Sequence, residues 1–298
     1  MKTFRMKDLG AIHWFLGLEI IHDRTQCLIS VNQTRYITDV ISCFDFINSR
    51  PISTPIPVNF KLPQLNSPEI DAHQYQSRIG SIMYAMLGTC PDIAYVVGIL
   101  SQFSANPGKK HLEAINHVLR YLNATKDYKI LYDGNSYEDD FTAYCNSDWA
   151  GDSRDHRSIS GYVFKITGAA VAWSSKKQSS TTLSSTEGEY MALPHAAKEV
   201  IWIREFLGDV LFPPSIPTTL LGDNQGALAL AINPAFHARM KHIRVHQHFI
   251  RECIYDNNVD LEYIPMADQV ADVLTKGLST TKHKKFTKEM GLFGVSAH

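Results

Sequence analysis

The feature that most constrains this chain lies in its second half, where strand-like segments come in a run of three and a single long helix follows. Residues 141–147, 159–166 and 169–175 read as strands, each short and bounded by polar or glycine-containing turns. Residues 186–209 read as a helix. A short strand at 218–222, helices at about 224–232 and 241–256, a strand at 259–264 and a helix at about 268–276 complete the chain. Three strands followed by alternating helix and strand call for a mixed sheet with helices packed on it.

The first half has a different pattern. Residues 12–20 and 27–31 read as strands around a polar turn at 22–26, and a helix follows with Tyr36, Ile37, Val40 and Ile41 at helical spacing. Pro51, Pro55, Pro57 and Pro63 then crowd a short stretch. Proline lacks an amide hydrogen and fixes φ, so this stretch is expected to be an extended linker. Helices are expected at 73–87, 92–104 and 110–124, separated by Pro91 and by Pro107-Gly108. The change of pattern near Gly134 divides the chain into residues 1–134 (hairpin, proline-rich strap, helical cluster) and residues 135–298, which hold the mixed sheet. A length of 298 residues accommodates two such domains.

Hydrophobic residues make up 44% of the chain and charged ones 20%, which fits a globular protein with a real core. The net charge is -1, so any surface for nucleic acid must come from local clusters. The five cysteines include no CxxC pair, which argues against a zinc ribbon or a disulfide framework and for a reducing compartment. The first residues lack an apolar segment, so no secretory signal is expected. No stretch approaches a membrane span, so no membrane partner is expected either. Cytoplasm and nucleus are not distinguished. Trp14, Trp149, Trp173 and Trp202 are expected in the core rather than as base-stacking platforms.

Four regions place carboxylates or their amides at strand ends and on buried faces: Asn146 to Asp152, Ser184 to Glu189, Asp223-Asn224 and Ala271-Asp272. Ser184 and Glu187 have the spacing of a capping box, so Glu187 is expected to be structural. Glu189 lies on another stripe, with Leu193, Ala196, Val200, Ile203 and Leu207, which should face the sheet. A carboxylate on such a stripe is costly unless something pairs with it. A divalent cation shared with Asp223 and Asp272 would serve. All-oxygen ligand sets suit Mg²⁺ or Mn²⁺, and two such ions about 4 Å apart activate water for phosphodiester hydrolysis.

The chain resembles copia-type LTR-retrotransposon Pol polyproteins along nearly its whole length. In the first part the resemblance rests on Phe4 to Gly10, Phe15-Leu16-Gly17, Asn32 to Tyr36, Arg78 to Tyr84, Pro91 to Tyr95 and Leu119 to Leu122. These look like the reverse-transcriptase segment that follows the polymerase active site. In the second part it rests on Ser147 to Asp152, Ser158 to Tyr162, Trp173 to Gln178, Leu183 to Tyr190, Asp223 to Gln225, Lys241 to Ile243 and Ala271 to Lys276. These look like a ribonuclease H domain. The resemblance implies a small α+β reverse-transcriptase remnant followed by a ribonuclease H-like mixed five-stranded sheet with flanking helices. It further implies cleavage of the RNA strand of an RNA–DNA hybrid, with metal ligands at position 146, Glu189, Asp223 and Asp272. Recognition of such a hybrid depends on the 2′-hydroxyl.

The first of those ligands is an aspartate in the family and Asn146 here. An amide keeps the shape and loses the charge, so metal affinity and catalysis are expected to be impaired. Asp148, two residues on, reaches the same strand face about 7 Å away and is a weak substitute ligand. Cys90, where the family has arginine, and Gly188 and Pro194 inside the long helix are further departures. Interior glycine and proline cost about 1 and about 3 kcal/mol relative to alanine. Tyr137-Glu138-Asp139-Asp140 has the letters of a polymerase motif but sits in an acidic connector, so no polymerase activity is expected of this chain alone. The upstream polymerase part would then be a partner. Lys176, Lys177, Arg239, Lys241 and Arg244 are candidate phosphate contacts. Lys282, Lys284, Lys285 and Lys288 read as a basic tail. The alternative to an impaired nuclease is a remnant that folds, or binds nucleic acid, without cutting it.

Overall fold

Two five-stranded sheets organise the chain in a computed structural model that describes residues 7–58, 60, 70–135, 141–149, 155–233 and 244–294. Tyr137 to Asp140, Pro63, Ala150 to Asp152, Arg239 and Lys241 lie outside the described residues, as does the side chain of Arg244.

The first sheet has the order β1 (Trp14–Phe15), β2 (Leu18–Asp23), β3 (Leu28–Asn32), β4 (Lys129–Asp133), β10 (Leu292–Phe293), with every neighbour antiparallel. The stretch 12–20 is therefore not one strand. Leu16 and Gly17 both take positive φ, the geometry of a two-residue hairpin turn, and fold β1 back on β2. The same half holds α1 (Thr34–Cys43), α2 (Ala72–Gly88), α3 (Ala94–Ser101) and α4 (Lys109–Thr125), which pack on one another. The segment expected as one helix from 92 opens as a 3-10 turn, Pro91–Ile93. In α4, Ile115, Val118, Leu119 and Leu122 recur at helical spacing, and all four are buried in the core that the helices share. Residues 51–58 carry no regular element, in keeping with the three prolines Pro51, Pro55 and Pro57.

The second sheet is mixed, in the order β7 (Ala169–Thr181), β6 (Arg157–Ile166), β5 (Thr142–Asp148), β8 (Thr218–Gly222), β9 (Val259–Tyr263). The β7–β6–β5 pairings are antiparallel, and β5–β8 and β8–β9 are parallel. This is the mixed five-stranded sheet with flanking helices that the strand pattern predicts. The long helix α5 (Ser185–Asp209) crosses it and buries Leu193, Ala196, Val200 and Ile203, the stripe on which Glu189 lies. Helices α6 (Gln225–Ile232) and α7 (Arg244–Tyr255) make the crossover to β9.

Several expectations are corrected here. The segment around Asp272 is a 3-10 turn, Val270–Leu274, rather than an α-helix. The lysine-rich end is a helix, α8 (Thr280–Glu289), not a tail. It buries His283, Phe286 and Thr287, and its lysines point outward. A third core joins Ala94 and Ile130 of the first half to Val163, Ala170, Leu274, Phe286 and Leu292 of the second. Trp14, Trp149 and Trp202 are about half exposed rather than core, and Trp202 stacks on Phe206. Only Trp173 packs inward, donating from Nε1 to the Met86 carbonyl. Among the described residues no helix is long and apolar enough to cross a membrane.

Candidate active site

Strand β5 is central, so its end is covered by neighbours on every side. Asn146 sits there, 2% exposed, opposite Gly161 of β6. The amide hydrogen of the next residue, Ser147, donates to Oε2 of Glu189 at 2.9 Å, which fixes the start of α5 against the strand. At the helix terminus Ser184 Oγ accepts from Glu187 N, and Glu187 Oε2 accepts from Leu183 N at 2.7 Å. Glu187 is a cap, and Glu189 faces the sheet. Gly188 lies between them. A Cβ there would come within 3.3 Å of Ser158 Oγ and 3.4 Å of Ser147 Oγ, so the missing side chain is what lets α5 approach. Its interior glycine therefore has a packing reason, and its carbonyl accepts from Gln178 Nε2 at 2.9 Å.

Asp223 occupies the junction between β8 and α6, whose N-cap is Asn224, accepting from Ala227 N. Asp272 arrives from the opposite side on the 3-10 turn and is fully buried. The side-chain amide of Asn146 donates to Asp272 Oδ1. Lys276 Nζ approaches the same oxygen at 2.7 Å. Oδ2 of Asp272 is buried with no hydrogen-bond partner among the described residues. Asn146, Glu189 and Asp272 thus meet at one end of the sheet.

The electrostatics tie the remaining acids to this point. Burial, and then the charge of Asp223, push the Glu189 carboxyl up to about 9. Burial and the charge of Asp272 raise Asp223. Asp148, at the last position of β5, is raised by burial and by Asp272, and Lys276 opposes that rise. These groups repel one another at close quarters, and the nearby positive charge is an ammonium.

Whether the donor set suits a divalent cation follows from the same contacts. Among the described residues no three His, Cys, Asp or Glu side chains are placed to hold a metal ion. Asn146 presents amide hydrogens, not a lone pair, to Asp272, and Lys276 fills the cationic position beside it. As folded, the side chains do not fit Mg²⁺ or Mn²⁺.

Three residues that hold this arrangement together are not apparent from composition or spacing. Gln269 is fully buried. Its Nε2 donates to the carbonyls of Cys145 on β5 and Leu221 on β8, and its Oε1 caps Ala271 N, so it bolts the Asp272 turn to the sheet. Gln178 Nε2 reaches Ser147 Oγ, Ser160 Oγ and the Gly188 carbonyl, linking β7 to β5, β6 and α5. Gly161 leaves room for the turn, since a Cβ would sit 2.7 Å from Leu274 Cβ. Gln178 and Gly161 lie inside the motifs Trp173 to Gln178 and Ser158 to Tyr162, whereas Gln269 precedes Ala271 to Lys276 and belongs to no motif. No spacing rule assigns them these jobs. Of the candidate phosphate contacts, Lys176 is exposed, and Lys177 is ion-paired with Asp155 at 2.8 Å. Both line a shallow cleft with Arg157 and Gln102.

No protein-family model matches the chain. It is 36% identical over 298 residues to the retrovirus-related Pol polyprotein from transposon TNT 1-94 of Nicotiana tabacum, covering 98% of this chain and 22% of that protein. It is also 36% identical over 296 residues to the retrovirus-related Pol polyprotein from transposon RE1 of Arabidopsis thaliana, covering 99% of this chain and 20% of that protein. The chain therefore spans about a fifth of the length of these relatives. Among solved structures, the ribonuclease H1 LC11, isolated from compost by a metagenomic approach, superposes with a TM-score of 0.37 at 16% identity, covering 46% of this chain and 93% of that one.

Proposed function

Because the chain belongs to the copia-type retrovirus-related Pol polyproteins, we propose that it is the end of a reverse transcriptase joined to a ribonuclease H-derived domain that binds RNA–DNA hybrid and has lost most of its power to cut the RNA strand. The proposed division lies near residue 134, after β4, and Leu292–Phe293 reach back across it to complete the first sheet. The observation that carries this reading is the buried contact of Asn146 with Asp272, beside Glu189. Four positions of the expected carboxylate set draw on one sheet end, and the leading one is an amide.

Glu189, Asp223 and Asp272, with Asp148 at their margin, are the acids that a hydrolytic site would use. Mg²⁺ or Mn²⁺ is the cofactor that the resemblance implies. A cation could be held only after Lys276 and the Asn146 amide moved away from Asp272, so no step is assigned through it. The chain's own residues do three things here. Gln269 fixes Asp272 to the sheet, Ser147 N holds Glu189, and burial beside Asp223 raises the Glu189 carboxyl and so favours its protonated form. The other partner proposed is the upstream polymerase part of the polyprotein, in the same chain or in trans.

The test is cleavage of a labelled RNA strand in an RNA–DNA hybrid, with Mg²⁺ or Mn²⁺, by the unaltered chain, by Asn146→Asp and by Asn146→Asp with Glu189→Gln. Negligible cutting by the unaltered chain, gain with Asn146→Asp and loss again with Glu189→Gln is the expected pattern. Strong cutting by the unaltered chain would sink the impaired reading. Inactivity of all three, with hybrid still bound, would leave the non-catalytic remnant as the function.

A further inference from the structure

A large cleft lies away from the carboxylate end of the sheet. It has a volume of about 1030 Å³ and lies where the segment after α1, helix α4 and helix α8 meet. Four cations line it, Arg50, Arg120, Lys284 and Lys288, and no Asp or Glu does. Arg50, Lys284 and Lys288 are exposed, and Arg120 is half-buried. None of the four forms an ion pair among the described residues. The Nε of Arg120 donates to the Arg50 carbonyl at 2.9 Å, so one cation braces the segment that presents another. Two aromatic rings, Tyr128 and Phe293, stand half-buried in the same wall.

We propose that this cleft binds a nucleic-acid strand through its phosphates, with the aromatic rings offering faces for bases. The proposal rests on the nucleic-acid reading above but needs no catalytic activity. Cations drawn from three separate elements around an acid-free groove form an electrostatic footprint for a polyanion. Positive grooves with interleaved aromatics suit a single strand in particular. The same lysines look like a featureless basic tail in the sequence. Only the amphipathic seating of α8, with Phe286 and Met290 inward, aims Lys284 and Lys288 at the groove.

The experiment uses the full chain and fluorescence anisotropy with labelled single-stranded DNA, single-stranded RNA and RNA–DNA hybrid across a range of salt. Lys284→Glu with Lys288→Glu should weaken binding at least about tenfold. It should also make the logarithmic salt dependence shallower by about 1.4 for single strands, the share of two phosphate contacts. Lys284→Arg with Lys288→Arg should bind normally. Arg35→Glu with Lys198→Glu changes the charge equally on exposed sites away from the cleft and should bind nearly as the parent. Lys284→Gln with Lys288→Gln, read alongside thermal melts, gives the answer should the reversed pair unfold. Unchanged binding in the cleft variants, or equal loss in both charge-reversed pairs, overturns the proposal. So does binding of inorganic pyrophosphate at the cleft with no strand bound. Hybrid cleavage by Asn146→Asp is a separate readout, so the nuclease reading and the cleft can fail independently.

Discussion

Asn146 and Lys276 share one acceptor: the amide of the first and the ammonium of the second both donate to Oδ1 of Asp272, the ammonium at 2.7 Å. A side chain with no exposed surface is thereby neutralised from two directions without leaving the protein. Restoring the acid at position 146 would put a second carboxylate against Asp272. Asn146→Asp should therefore lower stability by roughly 1–3 kcal/mol in the absence of divalent cations. Mg²⁺ or Mn²⁺ should return part of that loss, and should leave the melting temperature of the unaltered chain unmoved. Urea denaturation with and without the cation checks both halves.

Lys276 should matter to folding as well as to the site. Lys276→Met removes the only ion-pair partner of Asp272 among the described residues. Leaving a buried carboxylate alone is costly, but the lysine is about a third exposed, so water takes up part of its role. A loss of roughly 2 kcal/mol in urea titration is expected. No loss would mean that water reaches Asp272 in the folded chain.

Two neighbours that never touch a substrate should be felt at the site. Gln269→Ala abandons the carbonyls of Cys145 and Leu221 and uncaps the turn, and is expected to cost roughly 2 kcal/mol. Gly161→Ala drives a methyl into Leu274 and Thr275, so the turn must lift and carry Asp272 away from Asn146. Amide exchange at residues 270–276 should speed up in both variants, more than at α4.

Acid sensitivity should come in part from His283. This residue is 4% exposed, and burial depresses its pKa from 6.5 to about 4. The folded chain refuses a proton that the unfolded chain accepts below pH 6.5. Its stabilising share is full above that pH and is lost as pH falls towards 4, on the order of 3 kcal/mol in all. Asp92, raised to about 6 by burial, works in the opposite direction, since its ionised form is the disfavoured one in the fold. His283→Gln should flatten the pH dependence of the denaturation midpoint between pH 6.5 and 4. An unchanged slope would show that the imidazole is solvated in solution.

What could be read from the residues alone had local or periodic causes. Glu189 was legible because its stripe, Leu193 to Ile203, has helical phase and is buried as that phase requires. Asn146 was legible as a substitution within a motif. The partnership of Lys276 with Asp272 was not, because it depends on a 3-10 turn that stacks on Gly161 of a strand more than a hundred residues earlier. Helix α8 was hidden by its lysines, since only three of its ten residues are buried. The half-exposed Trp14, Trp149 and Trp202 misled because ring size says nothing about where a ring ends up. Strands β4 and β10 were hidden by distance, since short segments reveal themselves only through partners, and Leu292 lies opposite Ile130.

That last pairing bears on how the polypeptide is made. A ribosome delivers β2, β3 and β4 early, and Leu292–Phe293 almost at the close of this stretch. Until then the outer border of β4 is bare, a row of unused amide and carbonyl groups that any other extended peptide can dock onto. Nascent molecules should therefore be most prone to clump during translation of the second half, and least so once the final turn of α8 has delivered its strand.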